Sequence, residues 1–319
     1  MPTGPGSVNL GREKDMKRDL SLEVVEPGGE RELLAFLERD PVANLRLVWA
    51  VRRWGLFNLG LAEQGAFLAA RHGGRIRGVL FRDNLGIWRL AAGEEEAGIL
   101  ARAALDLWGP PEAVAGKGEE VEYLLAGFPE LSRRVRRREE EVTLVLERGR
   151  FAPRGSELVR VAGEEDLWWR RTSGGTCSPR SELVRVAGEE DLDSLVRLER
   201  AFQLEYLGSV SRDWEIRLRM LRLAEAGAAA IALWEGRVAA KAEMEAVTPR
   251  ADELGGVYTL PDYRRRGLAA AACSLLCGRS LARGKVVRLE ARRDNYAALS
   301  LYRGLGFRDL WPHVVVVFS

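Results

Sequence analysis

From residue 181 onward the sequence alternates short apolar or β-branched runs with amphipathic stretches, and no other feature narrows the fold as far. Runs at 183–186, 228–234, 238–247, 255–260, 286–291 and 314–318 read as strands. Between them, 189–205, 214–226, 267–283 and 296–305 carry apolar residues at helical spacing. The order β-α-α-β-β-β-α-β-α-β predicts a mixed, largely buried sheet with helices on both faces.

Residues 21–150 read as a comparable α/β succession. A strand at 21–25 precedes helical spacing at 30–53, broken near Pro41, and a hairpin at 66–71 and 75–82 turns across Gly73 and Gly74. A strand at 86–90, a helix at 94–107 and a closing strand at 142–146 follow. At roughly 100–200 residues per domain, the chain of 319 residues is expected to hold two domains, 21–150 and 181–319. Residues 1–20 mix Gly, Pro and charge and read as a tail without an apolar leader segment. No apolar run approaches the ~20 residues that cross a bilayer, so a cytoplasmic protein with no membrane partner is expected.

Between the two predicted domains Ser156–Leu167 reads SELVRVAGEEDL, and Ser181–Leu192 repeats it letter for letter. A recent local duplication, or a cloning or sequencing scar, explains that identity better than a structural repeat. The second copy runs on into an amphipathic helix, whereas the first runs into Trp168 and Trp169 without helical spacing. The second copy is therefore assigned to the fold, and 151–180 is read as a linker.

Charge narrows the partners. The 49 basic and 47 acidic residues nearly cancel, leaving no global field to draw nucleic acid or anionic lipid. The block Arg133–Arg138 runs into Glu139, Glu140 and Glu141 and reads as a self-neutralising surface, so no nucleic-acid partner is expected. Cys273 and Cys277 fall on one face of an apolar helix and read as buried packing residues. With only His72 and His313 besides, no metal site is expected.

The chemistry concentrates after the strand at 255–260. There Gly256-Val257-Tyr258-Thr259-Leu260-Pro261 gives way to a basic turn, Arg264-Arg265-Arg266, and Gly267 opens an Ala-rich helix. Unpaired N–H groups and the positive dipole end at such a helix start form an anion site, and glycine lets a phosphate approach the backbone. An ordinary strand-to-helix connection is the alternative. Downstream, Asn295 stands where its amide can cap a helix or bind a ligand, and Tyr302 lies two turns on, on about the same face.

Taken together, Arg264-x-x-Gly267-x-Ala269 after a V-x-T strand, then N-x-x-A-x-x-x-Y-x-x-L-G-F from Asn295, resemble the GNAT superfamily of acyl-CoA-dependent N-acyltransferases. The resemblance covers about 60 residues directly and extends by element order over 181–319. It implies an acetyl-CoA-dependent N-acetyltransferase acting on a primary amine of a small molecule or peptide, with acetyl-CoA as co-substrate. On that resemblance the main chain of Val257, Tyr258 and Thr259 pairs with the pantetheine arm. Arg265, Arg266, Gly267, Leu268, Ala269 and Ala270 cradle the diphosphate with Arg264 beside them, Asn295 contacts the pantetheine, and Tyr302 is the general acid.

The general base is open between candidates. Lys241, Glu243 and Glu245 alternate onto one face of the strand 238–247, where Glu243 or Glu245 can take the amine's proton directly or through a water. A salt-bridged group of strand charges is the alternative. Asp252 and Glu253 read as loop residues, Glu290 is a further candidate, and Glu205 either lines the acceptor pocket or ends a solvated helix. The first half repeats the strand-turn-helix order but carries Glu94, Glu95 and Glu96 where the second carries arginines. The expected architecture is thus two GNAT-like mixed-sheet domains in tandem, the first degenerate and repelling a diphosphate. A non-catalytic CoA-binding sensor is the competing function.

Overall fold

The computed structural model describes residues 20–154, 159–161 and 182–319. The first half contains β1 (Leu20–Val24), α1 (Glu30–Leu37), α2 (Leu45–Trp54), β2 (Gly65–His72), β3 (Arg75–Asp83), β4 (Ile87–Ala91), α3 (Glu94–Trp108), β5 (Ala113–Lys117), α4 (Gly118–Gly127), α5 (Pro129–Ser132) and β6 (Val135–Leu146). After β7 (Val159–Val161) come β8 (Glu182–Val186), α6 (Leu192–Tyr206), α7 (Asp213–Glu225), β9 (Ala229–Trp234), β10 (Arg237–Val247), β11 (Ala251–Thr259), α8 (Leu268–Ala282), β12 (Val286–Arg292), α9 (Tyr296–Gly304) and β13 (Arg308–Phe318). The residues read as a tail up to 19, together with Trp168, Trp169 and Cys177, lie outside the described residues.

Two compact units result: the residues up to Val142 with Trp311–Ser319, and Thr143–Leu310. This differs from the boundaries expected at 150 and 181. The final strand, read as part of the second domain, packs with the first unit beyond Leu310, and the end of β6 belongs to the second. The reason is β5, which its short, small-residue sequence hid. Its Ala113–Lys117 pairs antiparallel with residues 313–317 of β13, and Val314, Val316 and Phe318 enter the first unit's core.

Within the first unit β1, β2, β3 and β4 pair antiparallel in sequence, and β4 pairs parallel with β5. Strand alternation sorts its apolar residues onto two faces. Leu68, Leu80 and Trp88 meet α3 and α4, while Phe67, Val79 and Phe81 meet α1 and α2. The basic block behaves as expected for a solvated surface, with Arg137 paired to Glu139 and Arg138 to Glu122 and Glu140.

One carboxyl in this unit is held against its preference. Burial raises the pKa of Glu120, at the start of α4, from 4.5 to about 7, against the opposing pull of Lys117. Because the folded value lies above the unfolded one, stability falls as pH rises from 4.5 through about 7. Glu120→Gln is therefore expected to match the parent below pH ~4 and to exceed it by ~2–3 kcal/mol above pH ~8. Urea titrations at the two pH values check this, and equal stability at both would refute it.

From β8 to α9 the second unit repeats the order and strand pairing of β1 to α4, while α5 and β7 have no counterpart among the described residues. β8, β9, β10 and β11 pair antiparallel, and β11 pairs parallel with β12. The stretch read as a linker contains β7, whose Val159–Val161 pairs parallel with Glu182–Val184 of β8, so a piece of each copy of the duplicated segment is strand. Leu195, Ile216, Met220 and Ile231 join α6 and α7 to one face. On the other lies α8, whose Ala271, Ala272, Cys273 and Cys277 are buried, as expected for the two thiols. No helix among the described residues is long and apolar enough to cross a membrane.

Candidate active site

Strand β10 sends Ala240 and Ala242 to the α8 face and Lys241 and Glu243 to the face covered by α6 and α7. Lys241 has no exposed surface. Its ammonium donates to Glu199 Oε2 on α6 at 2.7 Å, to Glu243 Oε1 and to the Gly256 carbonyl at 2.9 Å. From α7, Arg219 donates to Glu199 Oε1 at 3.1 Å and Glu243 Oε2 at 2.5 Å, and Gln203 adds a bond to Glu199 at 2.8 Å. Two cations thus face two carboxylates, and every carboxylate oxygen accepts, as buried charge requires. Burial pushes the Glu199 carboxyl up, but Lys241 and Arg219 outweigh it and hold it below its ordinary range.

The neighbouring strand makes room for this cluster. The β10–β11 register slips between Lys241 and Glu243 and again between Met244 and Ala246. Gly256, inside the first bulge, has φ 53°, and the Glu243 carboxylate fills the space its Cβ would need. Glu245 does the same over Gly255. Glu243 is sealed and doubly bonded, so the salt-bridged alternative describes it better than a base. Glu245 is different: its side chain is 24% exposed and lies 3.8 Å from Arg219 Nη2.

Beyond the bulge the sheet opens. β11 and β12 pair through Ala251↔Val286, Asp252↔Val287 and Glu253↔Arg288 and, among the described residues, no further. Asp252 and Glu253 are therefore buried strand residues rather than loop, bonded to Ser280 and Lys285 and to Arg288 respectively. Glu290, on β12, pairs with Arg288 at 3.0 Å. Leu260 N–H donates to Ala239 across to β10 at 3.0 Å. By the alternation of an antiparallel ladder Tyr258 also faces β10, so Val257 and Thr259 turn their backbone groups to the edge that β12 has left.

That edge leads into the basic turn. Arg265 has φ 60°, and Gly267, with φ 82°, precedes α8 directly. Nothing lies within 4 Å of a Cβ on Gly267, so its conformation rather than crowding calls for glycine. No side chain caps α8, and the N–H groups of Leu268, Ala269 and Ala270 have no intrahelical acceptor. The three arginines divide their work. Arg264 Nη2 donates to both Glu205 oxygens at 2.7 and 2.6 Å and its Nε donates to the Thr259 carbonyl, while Arg266 stacks 4.3 Å over Trp234. Arg265, at φ 60°, has no hydrogen bond or ion pair among the described residues.

Glu205 fastens the end of α6 to this turn, since it also accepts from Tyr258 Oη at 2.9 Å. The Arg264 and Tyr258 bonds hold its carboxyl below the usual range. Asn295 caps α9, its Oδ1 accepting from Ala298 N at 3.2 Å. Tyr302, two turns on, is buried edge-to-face against Phe307. Burial pushes its pKa well above the ordinary value, and Cys273, Cys277, Glu245 and Tyr206 add to the push. Tyr302 and Glu245 are thus within electrostatic reach of each other. The sequence reading missed Glu199, Gln203, Arg219 and Trp234. A signal existed: Glu199 and Gln203 continue the four-residue spacing of Leu195 on a buried helix face, where polar residues need partners.

Residues 195–307 match the family model described as the acetyltransferase (GNAT) family. No curated protein matches the sequence. Among solved structures, an acetyltransferase of the GNAT family from Colwellia psychrerythraea is similar over 94% of this chain and 100% of its own, at 13% identity and a TM-score of 0.58. A tandem GNAT protein from the clavulanic acid biosynthesis pathway is similar over 93% of this chain and 98% of its own, at 14% identity and a TM-score of 0.55. A GCN5-related N-acetyltransferase-like protein from Streptococcus suis covers 92% and 100%, at 15% identity and 0.51. Residues 195–307 form a GNAT acetyltransferase-family domain, in a chain that shares the fold of these GNAT proteins.

Proposed function

We propose that the second unit transfers an acetyl group from acetyl-CoA to a primary amine of a small molecule or peptide. The observation that carries this reading is the parting of β11 from β12 above the uncapped start of α8. An extended amide chain fits the Val257 backbone and the Thr259 N–H as an added strand, the Thr259 carbonyl being held by Arg264, and a diphosphate fits the N–H groups from Gly267 to Ala270. Arg265 supplies the neighbouring charge, while Arg264 and Arg266 hold the turn's shape through Glu205 and Trp234.

Glu245 takes the proton of the attacking amine as the C–N bond forms. The Val257 N–H stabilises the oxyanion at the thioester carbonyl. As the C–S bond breaks, the Tyr302 phenol protonates the departing thiolate and is reprotonated from solvent. A phenol is already protonated near neutral pH, and burial raises its pKa further, so Tyr302 serves as donor through its position rather than through enhanced acidity. The first unit has the same strand order but three glutamates, Glu94, Glu95 and Glu96, in the first turn of α3, and it supports the active half without binding CoA.

Calorimetry with acetyl-CoA and thiol release over an amine panel test the reading. Binding with amine-dependent release is expected. Gly267→Val, which forces a β-branched residue to positive φ, should weaken binding at least ~10-fold. Glu245→Gln should remove the acidic limb of the kcat/KM pH profile. Binding without release over the whole panel would favour the sensor instead.

A further inference from the structure

The buried ion cluster is expensive for a fold to keep, because apolar residues of similar volume commonly serve stability as well or better. What an apolar side chain cannot do is hold a backbone carbonyl. Lys241 spends one of its three donors on the Gly256 oxygen, inside the bulge where Gly256 has φ 53° and falls outside the β10–β11 register. The other two donors go to Glu199 and Glu243, which fix the ammonium from two sides. In a trans peptide the carbonyl and the following N–H point in opposite directions. With the Gly256 carbonyl drawn toward Lys241, the Val257 N–H is aimed the other way, to the edge β12 has vacated.

We infer that Lys241, held by Glu199 and Glu243, is a positioning residue that locks the Gly256–Val257 peptide so that its N–H meets the thioester oxygen. Lys241 touches no substrate and acts only through this peptide. The inference rests on the transfer reading given above.

The double variant Glu199→Gln with Lys241→Met removes one charge of each sign and leaves Arg219 paired with Glu243. In the full chain it is expected to bind CoA within about threefold of the parent and to keep KM for acetyl-CoA. Its kcat should fall about 10- to 100-fold, less than the 10²–10³ that follows outright loss of an oxyanion donor. Infrared spectra of bound acetyl-CoA carrying a ¹³C-labelled carbonyl supply a readout that simple loss of packing does not move. In the parent the carbonyl band should lie at lower wavenumber than in buffer, and in the double variant it should return toward the buffer position. Unchanged kcat and an unchanged band in the variant overturn the inference while leaving transfer intact. If the double variant does not fold, the parent spectrum decides, because an unshifted band there removes the hydrogen bond that Lys241 is said to aim. A parent that binds no acetyl-CoA, or binds it without turnover, overturns both readings.

Discussion

Tyr302→Phe is expected to lower kcat by about 10²- to 10⁴-fold, the range of a positioned general acid, while acetyl-CoA affinity changes little. The substitution removes one oxygen and keeps the ring, so the edge-to-face contact with Phe307 survives and folding should be unaffected. The size of the effect follows from the leaving group. A thiol has a pKa of about 8.5, so its thiolate departs without a donor in water, but inside an apolar pocket an unprotonated thiolate is costly. Tyr302 is buried beside Cys273 and Cys277, whose thiols burial also raises, that of Cys273 to about 12. Steady-state rates and calorimetry on the same preparation check this, and a loss of less than threefold in kcat would remove Tyr302 from the chemistry.

Glu243→Ala is expected to cost about 3–5 kcal/mol of stability, the range for removing one partner of a buried ion pair. Both Lys241 and Arg219 donate to this carboxylate, and its side chain has no exposed surface. Its loss leaves the fully buried Lys241 and the partly exposed Arg219 sharing Glu199, with Glu245 at 3.8 Å from Arg219 as the next carboxylate. Urea unfolding of parent and variant measures the difference, and a cost under 1 kcal/mol would mean that solvent enters the cluster. The same cluster sets an acid limit. Glu199 is lowered from 4.5 in the fold, so its share of stability is complete above that unfolded value and is lost as pH falls through the folded one.

The element order of the second unit was legible because each helix and strand carries its own period. The turn we propose for the diphosphate stood out in the sequence because Gly267 and three arginines sit together, and the structure places them at an uncapped start of α8. What periodicity could not supply was contact between distant residues. Glu243 and Glu245 are equivalent in sequence, two places apart on one face, yet Arg219 on α7 and Lys241 seal the first, while the bulge at Met244/Ala246 leaves the second partly open. Arg264 read as a phosphate ligand because Glu205 lies 59 residues away. Asp252 and Glu253 read as loop because charge in a strand core is rare unless Lys285 and Arg288 come to meet it. The first unit was less legible, since β5 is a five-residue run of small side chains whose partner strand lies some 200 residues on.

That last pairing bears on how the polypeptide acquires its shape during synthesis. The strand flanking β5 leaves the ribosome only after every residue of the second unit has been made. Until then the early half carries an unsatisfied sheet edge at Ala113–Lys117, a surface prone to pairing with the wrong chain. The second half can gather its α6–α9 framework sooner, so completion of the protein waits on a long-range closure rather than on order of emergence.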